Sequence, residues 1–403
     1  MPGLRTLALT VAVQGGARWE PEDRSGWSHL LEHLVFKGAG DMGARDIVER
    51  IEAEGGSINA ATGYERTSFD VRALDGSLGL AMQVVSDLVF RPRLDPAEIE
   101  REKDVIAQEI AEAFDTPDDH VFEMAQSRAF DGQPLGRPIL GSVASLAPAD
   151  SVSIADWRAR LYSPDRMVVA VSGAVDEDEL LALAERWFGD AAPVATTTPA
   201  PAVFHGGAAS LNRRIEQSNL VFQLPAPGAT DPDFAAMRLL AEILGGGMAS
   251  RLFQSAREER GLAYAIDAYH DPYADIGLLG LYAGAAADRA VELAQVCAAE
   301  VRGLAEQGPT EAELSRAKAV LNAGLWMSDE SPASRAGRAA AQTLIFGAPV
   351  ATDTTQATIM AQSSDDLRRV AQGTLAQGRA STAVLGPRPA HPAGAAFADA
   401  LFG

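Results

Sequence analysis

Apolar positions along the first half of the chain switch between two periods. Thr6 to Val13 is a β-branched, apolar run and predicts a strand. After a polar loop from Gln14 to Arg24, Trp27, Leu30, Leu31, Leu34 and Val35 recur at helical spacing, with Ser25 or Asp23 as cap and a stop near Gly38-Ala39-Gly40. A second helix covers about Ala44 to Ala53 and ends at Gly55-Gly56. Ser57 to Ala61 and Thr67 to Leu74 are strands joined by a turn around Gly63. Asp75 opens a helix to Phe90, and Asp95-Pro96 opens a longer one through Ala113, with proline in the first turn where its missing N–H costs nothing. Helices near Asp118–Phe130, Ala149–Leu161 and Asp176–Phe188, and an apolar strand from Arg166 to Ser172, complete this half.

The stretch from Ala191 to Pro201 is rich in Pro, Thr and Ala, has no apolar period, and reads as an extended linker near the midpoint. Beyond it the order of elements repeats. Asn219–Leu224 is a strand, Asp231–Leu244 a helix, Ser250–Glu259 a short helix, Ala263–Tyr269 and Ile276–Ala283 strands, and Asp288–Gln307 and Thr310–Trp326 helices. Pro309-Thr310-Glu311-Ala312-Glu313 echoes Asp95-Pro96-Ala97-Glu98-Ile99, and Ser363 to Gly386 echoes Asp150 to Gly173. The pattern predicts an α+β protein of two tandem homologous domains, each a largely antiparallel sheet with helices packed on one face. The expected boundaries are 1–190, a linker at 191–208, and 209–403.

Composition narrows the partners. The 403 residues carry a net charge of −21 with only three lysines, Lys37, Lys103 and Lys318. Nucleic acid is excluded as the main ligand, because phosphate binding needs clustered cations. No apolar run approaches the roughly 20 residues of a membrane span, and the N-terminal residues lack a secretory pattern, which points to the cytoplasm, with the periplasm as the alternative for a trimmed N-terminus. The single Cys297, in an Ala-rich helical stretch, reads as a small buried hydrophobe.

The informative residues are His29-Leu30-Leu31-Glu32-His33. On a helix, His29 and His33 stand one turn apart on one face, so both imidazoles can reach one metal ion at about 2.0–2.1 Å. Glu32 then lies beside the metal rather than on it, which suits a general base for water. A hydrolytic zinc site needs a third protein ligand, and the candidate is Glu109, 76 residues after His33. Glu102, about two helical turns earlier on the same face, suits a supporting acid that orients a histidine. Read without the motif, Glu98, Glu100, Glu102 and Glu109 are the solvated face of an acidic helix. Gly245-Gly246-Gly247 ends a helix and has no Lys-Ser/Thr after it, so it is not a phosphate loop.

This His-x-x-Glu-His, followed by Glu at that interval, resembles the inverzincin zinc peptidases of the pitrilysin, insulin-degrading enzyme and mitochondrial processing peptidase family. The flanks agree: Gly26 ahead of the motif, Leu34-Val35-Phe36-Lys37-Gly38 after it, and Gly55-Gly56-Ser57-Ile58-Asn59-Ala60 with Thr62, Glu65 and Thr67. The resemblance implies that His29, His33 and Glu109 bind one Zn2+ per chain, that Glu32 is the base and Glu102 the supporting acid, and that Asn59 holds its loop beside the catalytic helix. Asn59 as a plain turn residue is the other reading. In the second half, Ser250-Arg251-Leu252-Phe253 and Arg257 to Tyr264 are similar to the family segment that places an Arg and a Tyr over the site. This implies that Arg257 and Tyr264 contact substrate. As bare residues they are a surface charge and a half-buried strand aromatic. Against that family the chain begins inside an early strand, so a first sheet-edge strand is expected to be short or absent.

The implied activity is a zinc metalloendopeptidase acting on unfolded peptides, the implied partner a second copy in a homodimer, with a related subunit in a heterodimer as the alternative. The rival function is a catalytically silent core-like or processing-partner subunit of the same family. A zinc hydrolase of non-peptide amides is set aside only by the resemblance. The acidity favours basic peptides through long-range attraction.

Overall fold

Residues Thr6–Gln14 form strand β1 in the computed structural model, which describes residues 1 and 3–403. Leu7, Leu9, Val11 and Val13 enter one core while Ala8, Thr10 and Ala12 are buried on the other face. The apolar run is thus a strand covered on both sides. Helix α1 is Trp27–Val35. Strands β2 (Ser57–Thr62) and β3 (Arg66–Leu74) follow as a hairpin. Next come helices α2 (Leu78–Phe90), α3 (Pro96–Asp115), α4 (Pro117–Ala129) and α5 (Ser151–Leu161), then strand β4 (Met167–Gly173). The strands join in the order β2-β3-β1-β4 with every neighbour antiparallel, and Thr10 of β1 stands opposite Asp70 of β3 and Ala170 of β4. Leu30, Leu31 and Leu34 of α1 and Val85 and Leu88 of α2 pack on Leu9, Val11, Phe69 and Val71.

The second half supplies β5 (Gly207–Asn212), β6 (Gln217–Ala226), α6 (Phe234–Gly245), β7 (Ala265–Pro272) and β8 (Gly277–Ala286). Helices α7 (Ala290–Gln307), α8 (Glu311–Glu330), α9 (Pro332–Phe346) and α10 (Ser364–Ala376) precede β9 (Ser381–Gly386) and α11 (Ala393–Phe402). The strand order is β5-β9-β6-β8-β7, antiparallel except for β5 beside β9. Read from its far end, β7-β8-β6-β9 repeats β2-β3-β1-β4, so the repeated element order corresponds to a repeated topology. Phe222 stacks on Phe397 at 4.2 Å in this core. Cys297 is buried there, and burial pushes its thiol up to about 12, as befits an inert packing residue.

The chain divides into two compact units, but not at the midpoint. One comprises Met1–Ala111, Arg137–Ala200 and Trp326–Ala351; the other comprises Glu112–Gly136, Pro201–Leu325 and Thr352–Gly403. The contiguous boundaries 1–190 and 209–403 therefore need correction, and the reason is a reciprocal exchange of one helix. Helix α4 of the first half packs on β5, β6 and β9, with Val121 and Ala125 against Val221, Ala383 and Leu385. That face is opposite to the one carrying Leu220, Phe222 and Val384, which belong to the main core. Helix α9 of the second half lies over β1 and β4, with Ala336 and Ala340 buried. Each sheet thus has its main helical layer on one face, as expected, and adds one exchanged helix on the other. Among the described residues no helix is long and apolar enough to cross a membrane.

Candidate metal centre

The apolar side chains of α1 follow an i, i+3, i+4, i+7, i+8 pattern and are all buried, which leaves His29, Glu32 and His33 on the opposite side. The start of this helix is built without a conventional cap. Gly26 has φ +88°, and a Cβ there would stand 2.5 Å from the Leu140 carbonyl, so only glycine fits. Glu20, six residues upstream and 2% exposed, supplies the acceptors: its carboxylate takes hydrogen bonds from the Gly26 N–H at 2.8 Å and the Ser28 N–H at 2.7 Å. Burial pushes the Glu20 carboxyl up to about 7, against the lowering effect of these bonds and of Arg137. The Trp27 indole N–H donates to the Ser145 carbonyl at 2.8 Å and fixes the helix from its other side.

Helix α3 brings Glu102 and Glu109 to this face, with Ile99 and Ile106 buried on the core side. His29 Nε2 lies 3.9 Å from Glu109 Oε2, and His33 Nε2 lies 3.7 Å from Glu109 Oε1. One donor atom from each of the three residues falls within 4.8 Å of the others, the one such His/Cys/Asp/Glu group among the described residues. Two ligand atoms on a tetrahedral zinc stand roughly 3.4 Å apart. The trio must therefore close by only a few tenths of an ångström up to about 1.4 Å, within the reach of side-chain rotation. The donor set, two imidazole nitrogens and a carboxylate, is the kind zinc takes. Glu32 Oε2 and Glu109 Oε2 are buried with no hydrogen-bond partner among the described residues, a cost that a cation and its water would offset. Burial, and then the neighbouring His33, lower the His29 imidazole to about 4, so it is neutral and free to ligate near neutral pH.

Glu102, 4% exposed, is bonded at both oxygens. Oε2 is 3.0 Å from His33 Nδ1 and Oε1 is 2.8 Å from Lys37 Nζ. Burial would raise its carboxyl, but the hydrogen bonds from Lys37 and His33 outweigh this and hold it below the usual carboxylate range. It therefore accepts from Nδ1–H, which leaves the Nε2 lone pair of His33 facing Glu109. Burial, and then the Glu32 carboxylate, hold the Tyr162 phenol well above its usual value, so this buried hydroxyl stays neutral beside the motif.

The remaining expected residues are placed differently. Asn59 stands within β2 rather than in a loop or a turn. It is exposed and opposite Asp70, between Ile58 and Ala60, which join the core that α1 packs into; strand alternation puts Asn59 on the other face. Arg257 and Tyr264 belong to the second unit. Arg257 sits on a π-helical turn, Phe253–Glu258, where an ordinary short helix was expected, and its guanidinium lies 4.8 Å over the Phe253 ring. Tyr264 is 66% exposed, and its N–H donates to the Gly284 carbonyl at 2.8 Å. On α6, the counterpart of α1, Arg238 and Glu242 take the i, i+4 spacing of the two histidines. Burial lowers Arg238 and raises Glu242, each opposed by an unlike charge, and these two residues offer no metal donor set like that of the two histidines.

Glu20, Lys37 and Tyr162 carry no role that their sequence pattern announces. Glu20 carries no local signal, being one acid in a polar loop, and Tyr162 is one aromatic at a helix end. Lys37 stands four residues past His33, a spacing that could have marked it.

Comparisons with known proteins identify the family. Residues 2–143 match the family described as Insulinase (Peptidase family M16), and residues 151–321 match the Peptidase M16 inactive domain. A Rickettsia bellii protein named as an uncharacterized zinc protease is 32% identical, over 96% of this chain and 94% of its own length. A Mycobacterium leprae protein with the same description is 34% identical over 96% and 88%. Among solved structures, a protease from Helicobacter pylori superposes with a TM-score of 0.88 at 22% identity, covering 95% of both chains. A peptidase M16 inactive domain from Pseudomonas fluorescens gives 0.87 at 19%, covering 96% of this chain and 94% of its own. The histidine pair, the distant glutamate and these full-length matches place the chain in the M16 family of peptidases.

Proposed function

We propose that this chain is a zinc metalloendopeptidase that hydrolyses peptide bonds of unfolded peptides or oligopeptides with Glu32 as general base. The observation that carries the reading is the convergence of His29, His33 and Glu109, donors from two helices, to within 4.8 Å. His29, His33 and Glu109 would hold one zinc ion. When bound, zinc supplies Lewis acidity to a water and to the scissile carbonyl. The chain's own residues do the rest. Glu102 holds the Nδ1–H of His33 so that Nε2 keeps its lone pair. Glu32, with an unpartnered buried oxygen, takes a proton from the attacking water and returns it to the leaving amine. Arg257 and Tyr264, by the family resemblance, bind substrate carbonyls or the developing oxyanion. Strand β2, which carries Asn59, is an edge of its sheet, and an extended peptide adding to it is the binding mode this reading assigns. A second copy of the chain is the partner we assign, in the cytoplasm.

The second reading, a silent subunit, draws on the inactive-domain match over residues 151–321. Zinc quantification with digestion of a diverse peptide library read by mass spectrometry, on wild type and Glu32→Gln, separates them. We expect one zinc per chain in both proteins and cleavage only in wild type. Full cleavage by Glu32→Gln would remove the base assignment, and stoichiometric zinc with no cleavage by wild type would establish the silent subunit.

A further inference from the structure

We infer that Lys37 is a positioning residue for the metal centre: its ammonium pins one oxygen of Glu102 so that the other meets His33 Nδ1. The inference rests on the zinc reading above and goes one residue beyond it. Lys37 follows the end of α1, its N–H bonded to the Leu34 carbonyl at 3.0 Å, four residues past His33. His33, in the last turn of α1, and Lys37, two residues past its end, therefore flank Glu102 at 3.0 Å and 2.8 Å on different oxygens.

A carboxylate tied by one oxygen still turns about its terminal torsion, which is broad and two-fold. The second tie fixes the plane of the group, and with it the direction from which Nδ1–H is held. Among the described residues Lys37 is also the one cation in a hydrogen bond with a centre that holds three carboxylates, Glu32, Glu102 and Glu109. Removing it therefore pulls zinc affinity in two directions. Loss of a positive charge makes the centre more negative and favours a dication. Loss of the tie frees Glu102 and loosens His33, which weakens the ligand. The sign of the change reports which role Lys37 plays.

Metal-free wild type, Lys37→Met, Lys37→Arg, Glu102→Ala and the Lys37→Met/Glu102→Ala pair would be titrated with zinc against a chelating dye, with thermal melts of the metal-free proteins. The Lys37 side chain is 35% exposed, so all the Lys37 variants should fold. The positioning role predicts zinc affinity lower by about tenfold in Lys37→Met, largely restored in Lys37→Arg. The double variant should be no weaker than Glu102→Ala, because Lys37 acts through Glu102. Unchanged or tighter zinc binding by Lys37→Met, or full additivity in the double variant, overturns the inference while leaving the zinc reading intact. A wild type that takes up no zinc overturns the zinc reading, and this inference with it.

Discussion

His33 presents opposite edges to two glutamates of one helix: Nδ1 stands 3.0 Å from Glu102 and Nε2 3.7 Å from Glu109. Glu102 and Glu109 are seven residues apart on α3, two turns on one face, so a single helix supplies both the co-ligand and the group that orients the ligand. The roles separate by substitution. Glu102→Ala removes the acceptor for Nδ1–H and should weaken zinc binding by about 10–100-fold. Glu102→Gln keeps an oxygen acceptor and should lose less. Zinc competition titrations check this, and equal affinity in wild type and Glu102→Ala would reduce Glu102 to a packing residue.

Glu20 gives the protein a pH dependence of unusual sign for a carboxylate. Its carboxyl, pushed up to about 7 by burial, binds a proton more tightly in the folded chain than in the unfolded one, where 4.5 is usual. Between pH 4.5 and 7 the native state holds the extra proton, so Glu20 subtracts stability as pH rises through that window, by roughly 3 kcal/mol over its whole width. Glu20→Gln removes the titration and also costs one of the two bonds to the start of α1, about 1–3 kcal/mol. Denaturant midpoints of the two proteins at pH 5 and pH 7.5 test the point. The variant should be clearly the weaker at pH 5 and should gain on wild type by pH 7.5. Parallel behaviour at both pH values would show that Glu20 does not titrate in this range.

Much of this was readable in the residues, for physical reasons that also say where reading stops. Helix α1 and its two histidines follow from apolar spacing alone, because a half-buried helix must show a 3.6-residue period. The repeated topology was legible as a repeated order of elements. The exchange of α4 and α9 was not: Val121 and Ala125 specify an apolar face but not which sheet it covers. Glu20 was invisible because its bonds run to backbone N–H groups, which carry no sequence signature. The strand over Ser57 to Ala61 was legible in its pattern, whereas the loop that the family resemblance implied for Asn59 is not there: Asn59 pairs with Asp70 within the strand. The π-helical turn at Phe253–Glu258 escaped because the residues that form it also suit an ordinary helix.

Tyr264 and Arg257 supply the sharpest test of the second half's contribution. The Tyr264 side chain is 66% exposed, so Tyr264→Phe removes one hydroxyl with little effect on folding, within about 0.5 kcal/mol. A hydroxyl that donates to the developing oxyanion acts in the transition state, so its loss should lower kcat by about 10²–10³-fold with KM little changed. A hydroxyl that only holds substrate would raise KM and spare kcat. Arg257 is held over Phe253, and Arg257→Lys keeps the charge while losing the planar fork, so a role in binding two carbonyl oxygens at once should not survive that change. Zinc content should be unaltered in both variants, since neither residue belongs to the unit that carries His29, His33 and Glu109. Steady-state kinetics on a quenched peptide, with metal analysis of the same samples, reads all of these. Wild-type kcat and KM in both variants would confine catalysis to the first unit and leave the second with the fold alone.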